Sequence, residues 1–357
     1  MKTIATGFLN LLILNLLLAL RVCSPPDGTG TLPDVPISNP DSLIVLSTDT
    51  TATDSLSVST NDSAAHAFSP ADIRIEKKLL YDQYTLADVY PYKDTTRRFQ
   101  WNKIRERLFF LDSIQSVPTN WAVLQNYRNK NGVAALVKKF SRNVYGNIID
   151  TFSVERYQSV PLFLPDDTLV AERYGKDGTL VRCIEPTGKY VRVQAPSLSD
   201  NEWLVPAKYL KVIGDTVVFK KVVCVDVTNQ NMVTLEKIDS VWYIRSMNPV
   251  TTGLQKPPHQ YPTPLGLFVV QEKKIKMMFL IDGTIETGGF APYATRFCNG
   301  GHIHGIPVNA PRTTNIEYSS SLGTTPRSHM CVRTATSHAQ FIYDWATTYD
   351  SVVFVYD

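Results

Sequence analysis

The residues best suited to chemistry lie in two short segments near the C-terminal end of the chain. One segment is Gly301-His302-Ile303-His304-Gly305, and the other is residues 326–333, PRSHMCVR. Cys331 is a candidate nucleophile, because a thiolate attacks acyl carbonyls without a metal and a nearby imidazole can take up the thiol proton. The pattern therefore predicts thiol-based acyl chemistry, provided that the fold brings a histidine to Cys331.

The same residue types also allow a metal site. Three imidazoles and one thiolate are enough for tetrahedral zinc, and the segments supply them as His302, His304, His329 and Cys331. A zinc site is therefore the alternative to nucleophilic catalysis from the residues alone.

Length and composition limit the remaining possibilities. The chain has 357 residues, 43% of them hydrophobic, which is enough for two or three compact units. Its net charge is +3 without a concentrated basic run, so nucleic-acid binding is not expected. The five cysteines are an odd number and cannot all pair within one chain, so at least one thiol should be free or modified.

The N-terminus has the pattern of an export signal over residues 1–23. Lys2 precedes the apolar run Phe8–Leu20, which is short for a membrane span and typical of a secretory signal. Leu20-Arg21-Val22-Cys23 resembles a bacterial lipoprotein box, although Arg21 and Val22 depart from it. Cys23 is thus a lipidation candidate, with cleavage near Ser24 or an uncleaved anchor as alternatives. Each version predicts an exported, periplasmic protein, and lipidation of Cys23 would anchor it to the membrane.

Two regions follow the export signal. Residues 24–69 are rich in Ser, Thr, Asp and Pro and predict a disordered tether. Residues 70–158 predict a helical region that begins with Ser69 as cap and Pro70 at the first helical position. Its strongest signal is the amphipathic pattern in Phe99–Gln115, and residues 120–127 and 133–144 are expected to continue it.

The rest of the chain is patterned for β-structure. Residues 159–218 predict a small β module with a hairpin through Asp177-Gly178. This module weakly resembles bacterial SH3-like domains, which often bind cell-wall peptides, although a packing role fits equally. Residues 219–357 predict a mainly β domain with a second hairpin at Asp282-Gly283. The predicted fold class is therefore α+β and multidomain: a helical N-terminal region, a small β module and a mainly β C-terminal domain.

Four stretches of this last domain resemble the catalytic domain of the L,D-transpeptidases, which cross-link peptidoglycan through a cysteine. They are Val223–Gln230 as a first strand, Pro262–Phe268 as the "TPxGxF" segment, residues 303–305 as "hHG" and residues 328–333 as "[S/T]HGC-x-[N/R]". The resemblance covers residues 220–357. It implies peptidoglycan stem peptides as donor and acceptor, and it implies no metal and no cofactor.

The resemblance also assigns roles to residues. Cys331 would form an acyl-thioester and His304 would act as general base and acid, because Gly305 follows His304 as in the family. His302 would support the site structurally. Arg333 would bind a substrate carboxylate.

The residues before the nucleophile would shape its loop. Backbone N–H groups around Ser328, His329 and Met330 would form an oxyanion hole with that of Cys331. The side chains of Ser328 and His329 would fix the loop or contact substrate.

Two departures from the family pattern stand out. Met330 replaces a glycine, which implies either an ordinary backbone conformation or strain, and a narrower acyl pocket. The 23 residues between His304 and Ser328 exceed the usual spacing, so residues 309–325 are expected to form an inserted loop over the site.

The leading hypothesis is an exported L,D-transpeptidase. The alternatives are an L,D-carboxypeptidase with the same site and a non-catalytic cell-wall-binding lipoprotein. The other thiols of the folded part, Cys183, Cys224 and Cys298, are expected to be core or surface residues. His259 and His338 are expected at the surface.

Overall fold

The computed structural model describes residues 68–357, all of which belong to one compact unit, Ala65–Asp357. The predicted export signal, the lipidation candidate Cys23 and nearly all of the predicted tether lie outside the described residues. Within the described part, no helix has both the length and the apolarity that a membrane crossing requires.

The described residues form mostly β-structure. The strands of the N-terminal half are β1 (Arg74–Lys77), β2 (Val89–Tyr92), β3 (Thr95–Arg98), β4 (Trp121–Leu124), β5 (Ser141–Arg142), β6 (Ile148–Ile149), β7 (Ser159–Leu162), β8 (Arg173–Lys176), β9 (Leu180–Thr187), β10 (Tyr190–Gln194), β11 (Glu202–Pro206) and β12 (Leu210–Gly214). Those of the C-terminal half are β13 (Lys221–Asp226), β14 (Asn231–Ile238), β15 (Val241–Pro249), β16 (Gly266–Val269), β17 (Glu272–Leu280), β18 (Thr287–Cys298), β19 (Gly301–His304), β20 (Val308–Asn309), β21 (Val332–Arg333) and β22 (Ser351–Tyr356). The α-helices of residues 68–357 are α1 (Trp101–Ile114) and α2 (Thr336–Trp345), and short 3-10 turns occur at Pro70–Asp72, Tyr127–Asn129 and Ala207–Tyr209.

The prediction of a helical region over residues 70–158 is wrong. Helix α1 does confirm the amphipathic pattern, and its buried face carries Ile104, Leu108, Leu111 and Ile114. The start expected at Ser69 gives only a 3-10 turn, after which the chain enters β1, and residues 120–127 contain β4 instead of helix. All four residues of β4 are buried, and an apolar run this short fits a buried strand as well as a helix.

The central sheet has six strands in the order β1-β15-β14-β13-β22-β16 and is covered on both faces. Side chains alternate along β13, so Val222 and Cys224 pack on the face that carries α1, whereas Val223 and Val225 face α2 and the third sheet. The N-terminal region thus supplies an edge strand, β1, and the helix that buries one face of the sheet.

A second sheet, in the order β11-β10-β9-β4-β12, contains β9 to β12 of the region expected to form the small β module together with β4 from before it, while β7 and β8 of that region pair in a separate two-stranded sheet. The hairpin predicted through Asp177-Gly178 is wrong in its pairing, because β8 pairs with β7 while β9 pairs with β4 and β10. The resemblance of this region to SH3-like domains stays a prediction.

The third sheet brings the two chemistry-bearing segments together. Its order is β17-β18-β19-β21, with β20 also paired to β18. Strands β17 and β18 form the long hairpin predicted at Asp282-Gly283, called the flap below (residues 272–298). Strand β19 runs parallel to β21 with Ile303 opposite Val332 and His304 opposite Arg333. The histidine segment and the cysteine segment are therefore direct neighbours in the sheet.

The Asp177-Gly178 turn joins the N-terminal part to this third sheet. The Asp177 carboxylate is fully buried and accepts hydrogen bonds from Arg296 Nη1 at 2.7 Å, Gln271 Nε2 at 3.0 Å and the Asn299 N–H at 3.1 Å. It also accepts from two backbone N–H groups next to β4. Gly178 has φ +90°, and a Cβ there would lie 2.1 Å from the carbonyl oxygen of Phe297. The turn points inward because its carboxylate and its glycine both fit against the end of β18.

We predict that Asp177→Asn lowers the free energy of unfolding by about 3 kcal/mol, because it leaves the buried Arg296 guanidinium with only its longer contact to the partly exposed Glu272. Urea denaturation measures this change. Asp167→Asn is the matched control, since Asp167 pairs with Lys138 at the surface and should matter little. Equal effects of the two substitutions would contradict a special role for Asp177.

Candidate active site

Cys331 and His304 line the same cavity, which has a volume of about 520 Å³ and lies under the flap. Flap residues Met277, Phe279 and Asp282 form part of its wall. The two segments that the sequence singles out therefore meet at one site, and the nucleophile and base candidates face the same space.

His304 is arranged to act as a base through one nitrogen. It lies at the end of β19 with 3% of its surface exposed, and its Nδ1 is 2.6 Å from the carbonyl oxygen of Gly305. A carbonyl oxygen only accepts, so Nδ1 carries the proton and Nε2 keeps its lone pair. Burial lowers the pKa of His304 to about 3, so the imidazole is neutral around pH 7.

His302 occupies a different position. Its Nδ1 is 2.9 Å from the carbonyl oxygen of Gly300, its Nε2 is buried without a partner, and burial lowers its pKa to about 4. Of the two histidines, only His304 lines the cavity with Cys331. This placement supports the choice of His304 over His302 as the base candidate.

The Cys331 side chain is half-buried, and its thiol contacts a backbone carbonyl. Its Sγ lies 3.5 Å from the carbonyl oxygen of Gly300, to which the S–H donates. Burial raises the pKa of Cys331 above its ordinary value of 9.0, while the backbone of His302 and the charge of Arg333 oppose that rise. The resting site therefore holds a neutral thiol beside a neutral imidazole, so the thiol must lose its proton as it attacks.

Met330 adopts a backbone conformation that favours glycine, with φ +137°. The sequence allowed either an ordinary or a strained backbone at this position, and the structure shows the strained one. Such strain costs about 1–3 kcal/mol for a residue with a side chain. Its carbonyl accepts a 2.8 Å hydrogen bond from Thr263 Oγ1, in the "TPxGxF" segment. The hydroxyl of Ser328 accepts from the Met330 N–H at 3.4 Å and donates to the Cys331 carbonyl. Thr263 and Ser328 together hold the strained loop.

Arg333 and His329 lie on either side of the candidate nucleophile in the sequence. Arg333 lines the cavity, its Nε is buried without a hydrogen-bond partner, and no ion pair to it occurs among residues 68–357. His329 is partly exposed, and its Nε2 lies 2.8 Å from Asp282 Oδ2 at the tip of the flap. Arg333 is thus available to a substrate carboxylate, whereas His329 ties the flap to the cysteine loop.

The residues between His304 and Ser328 lie mainly beside the cavity. Within 309–325 only Asn309 contributes to its wall. Leu322 packs with Ile306 in a small core cluster, and Tyr318 contacts Tyr84 with ring centroids 4.6 Å apart. The expected loop over the site is therefore a segment that packs against the N-terminal part.

The remaining thiols and histidines agree with expectation in all but one case. Cys224 and Cys298 are buried and Cys183 is half-buried. His259 is exposed, as expected, but the expectation for His338 is wrong. His338 is fully buried because Thr334 Oγ1 and Ser246 Oγ, each 2.8 Å away, satisfy both ring nitrogens.

Sequence reasoning missed the residues that brace the nucleophile. Asp177 fixes the Asn299 N–H, and the next residue, Gly300, offers the carbonyl that both Cys331 and His302 contact. The Asp-Gly pair signalled a turn, but nothing in its local pattern predicts that the turn packs on Arg296. Across residues 68–357, no group of three or more His, Cys, Asp or Glu side chains is placed to hold a metal ion.

Comparison with known proteins finds a family model that matches the C-terminal segment. Residues 220–354 match the family model described as the L,D-transpeptidase catalytic domain, YkuD. This match confirms the resemblance drawn from the four motifs, and it locates the mostly β segment that carries Cys331 and His304. No curated protein matches the chain.

Several solved structures are similar to parts of the chain. A fused Zn-dependent amidase/peptidase/peptidoglycan-binding protein of Clostridium acetobutylicum is 20% identical, with 39% of this chain and 53% of that one covered and a TM-score of 0.29. An L,D-transpeptidase of Stackebrandtia nassauensis is 24% identical over 39% and 56%, with a TM-score of 0.28. L,D-transpeptidase 3 of Mycobacterium tuberculosis, solved with a faropenem-derived adduct, is 15% identical over 51% and 93%, with a TM-score of 0.32. The chain spans little more than half the length of the first two, and similarities this low carry no argument about its activity.

We predict that Met330→Gly raises the free energy of unfolding by about 1 kcal/mol, because glycine adopts φ +137° without strain. Denaturant unfolding measures the difference. Met278→Gly is a suitable control, since Met278 lies in an ordinary strand of the flap and glycine weakens strands. A clear loss of stability in Met330→Gly would show that the methionine side chain outweighs the strain.

The pH dependence of Cys331 alkylation tests the neutral resting site. With the pKa of the thiol above 9.0, its reaction with iodoacetamide should keep accelerating beyond pH 9. With the pKa of His304 near 3, the profile should show no inflection around pH 6.5. Mass spectrometry of the Cys331 peptide gives the rates, and Cys331→Ala gives the background. A plateau below pH 7 would instead indicate a thiolate–imidazolium pair.

Proposed function

We propose that this chain is an exported, cysteine-dependent L,D-transpeptidase that acts on peptidoglycan stem peptides. One observation carries the proposal: Cys331 and His304 line the same cavity, and the Gly305 carbonyl engages Nδ1 of His304 so that Nε2 is free to take a proton. The family match of residues 220–354 supports the class of substrate.

In the first half-reaction, Cys331 attacks the carbonyl carbon of the third residue of a stem tetrapeptide. His304 Nε2 accepts the thiol proton as the carbon–sulfur bond forms, which avoids a free thiolate in a buried site. The tetrahedral intermediate then expels the terminal D-alanine, whose amine takes the proton back from His304. The products are an acyl-thioester on Cys331 and free D-alanine.

In the second half-reaction, an amine of a neighbouring stem attacks the thioester carbonyl. His304 removes a proton from the attacking nitrogen and delivers it to the departing sulfur, which regenerates the resting site. If water attacks instead, the same steps give a shortened stem, which is the carboxypeptidase outcome.

The neighbours of Cys331 have supporting roles in this proposal. The Cys331 N–H is the oxyanion donor, because the Met330 N–H already faces Ser328 Oγ. Arg333 binds a substrate carboxylate through a guanidinium whose Nε has no other partner. Ser328 holds the loop in its strained conformation. His302 helps to hold the Gly300 carbonyl in place through its hydrogen bond to that carbonyl.

The location of the protein is part of the same proposal. The N-terminal pattern around Phe8–Leu20 supports export, and a lipid on Cys23 would tether the catalytic domain to a periplasmic membrane surface. Incorporation of labelled palmitate that Cys23→Ala abolishes would support the tether.

The decisive experiment incubates the purified protein with disaccharide-tetrapeptides and follows the products by mass spectrometry. A cross-linked dimer indicates transfer, and a shortened stem indicates hydrolysis. We predict that Cys331→Ala abolishes either product and that His304→Gln lowers kcat at least about 100-fold. Cys183→Ala, which removes a half-buried thiol far from this cavity in the sequence and the fold, should retain activity.

Acylation by a carbapenem provides an independent readout, because its strained carbonyl can be attacked by the same thiol. The expected adduct resides on the Cys331 peptide and is absent in Cys331→Ala. Unchanged muropeptides together with an unlabelled Cys331 would contradict the proposal and favour the non-catalytic wall-binding protein.

A further inference from the structure

A second and larger cavity, of about 860 Å³, lies next to the cysteine loop. Met330 lines this cavity, whereas Cys331 and His304 line the flap cavity, and the two walls share no residue. One wall comes from residues 142–155 and the other from residues 252–265. The strained loop that carries the nucleophile thus has a separate cavity on each side, and the larger one depends on the N-terminal part of the chain.

Glu155 is a carboxylate in the wall of this cavity whose hydrogen-bond partners are both neutral. Asn143 Nδ2 and Asn147 Nδ2 donate to its two carboxylate oxygens at 2.6 and 3.2 Å, which fixes its orientation. Partial burial raises its pKa, and no ion pair to Glu155 occurs in the described part of the chain. A half-buried carboxylate held by neutral amides is a site for a cationic ligand, since such a ligand would recover the missing charge interaction.

The cationic side chains of the cavity wall are engaged elsewhere. Lys176 Nζ donates to the Leu265 carbonyl at 2.8 Å, and Arg142 Nη1 donates to the Gly146 carbonyl at 2.6 Å. Neither of them therefore supplies the partner that Glu155 lacks.

A second hydrogen-bond acceptor in the wall also lacks a donor. Asn299 Oδ1 is buried without a hydrogen-bond partner, although the backbone of the same residue is fixed by Asp177. Tyr145 from one wall stacks on Tyr261 from the other with ring centroids 4.0 Å apart, and Asn147 also donates to the Tyr261 hydroxyl. A ligand that fits must therefore bring N–H donors as well as a positive charge, and it meets an aromatic surface.

We propose that this cavity binds a peptide that carries a free ammonium group, with Glu155 as the partner of that group. Because the inference rests on the proposed function, the ligand is an amine-bearing stem peptide, and the cavity is a second peptide site beside the thioester-forming one. Peptide N–H groups suit Asn299 Oδ1. The apolar side chains of Val144 and Phe152 are 64% and 61% exposed, and they offer contact area for the remaining residues of the bound peptide.

The two-cavity arrangement fits the chemistry of transfer. Transfer requires two peptides near one sulfur, one to give its carbonyl and one to give its amine. The flap cavity presents Cys331, His304 and the cationic Arg333, whereas the second cavity presents an anionic carboxylate. Arg333 in one cavity and Glu155 in the other would orient peptides by their carboxylate and ammonium groups.

Binding measurements on a protein that cannot react test this proposal. The probes are the tetrapeptide L-Ala-γ-D-Glu-L-Lys-D-Ala and its Nε-acetyl-lysine derivative, which lacks the charge, with isothermal titration calorimetry on Cys331→Ala. We expect the acetylated peptide to bind about ten-fold more weakly, which corresponds to one charge-assisted contact. In Cys331→Ala combined with Glu155→Gln, the two peptides should bind equally.

Two further variants serve as controls. Glu185→Gln removes an exposed carboxylate of β9 that pairs with Arg192, and it should keep the ten-fold difference. Glu155→Asp retains the negative charge and should keep most of the ten-fold difference in affinity. This variant distinguishes loss of the charge from a folding defect as the cause of any effect of Glu155→Gln.

The outcomes distinguish this inference from the proposed function. An acetylation effect that survives Glu155→Gln, or no binding of either peptide to Cys331→Ala, would overturn the second peptide site even if the wild-type protein cross-links muropeptides. Glu155-dependent binding without any reaction at Cys331 would uphold the site and overturn the transpeptidase. In a reactive protein, Glu155→Gln should raise KM and leave kcat nearly unchanged.

Discussion

The buried carboxylate of Asp177 is the interaction on which the site depends. It accepts hydrogen bonds from the N-terminal part next to β4 and from Arg296, Gln271 and Asn299 of the third sheet. Either member of the buried Asp177–Arg296 pair would be costly to bury without the other, so loss of one partner would weaken the contact between the two parts of the chain. Through Asn299 the same carboxylate fixes the residue before Gly300, whose carbonyl holds the thiol. The N-terminal part therefore helps to position the carbonyl group that contacts the candidate nucleophile.

Burial also determines what kind of acid–base chemistry the site can carry out. His304 and Cys331 both lie where water is scarce, so each neutral form is favoured over its charged form. A stable ion pair would require desolvating two charges, whereas a proton that moves during attack creates charge only as the new bond forms. The carbonyl of Gly305 matters for this reason: it selects the tautomer of His304 that can accept the proton at Nε2.

The sequence predicted those elements whose signals are local. Helix α1 has a four-turn apolar stripe, the flap has alternating strands around Asp282-Gly283, and the cysteine and histidine segments matched a family pattern. The sequence-based prediction failed where the structure of a segment depends on the residues that it packs against or pairs with. β1 exists because β15 offers it an edge, β4 is a short apolar run that fits a helix equally well, and His338 is buried because Thr334 and Ser246 satisfy it. Such contacts join residues far apart in sequence, and no local pattern encodes them.

Met330 shows how strain and binding are connected in this loop. A glycine would adopt φ +137° at no cost, but it would leave the second cavity without part of its wall. The methionine is kept in place by Thr263 and Ser328, which hold its carbonyl and its N–H. Any shift of Met330 by a ligand in the larger cavity would be transmitted directly to Cys331, the next residue. The position at which the chain departs from the L,D-transpeptidase motif therefore lines the larger cavity and is directly followed by the candidate nucleophile.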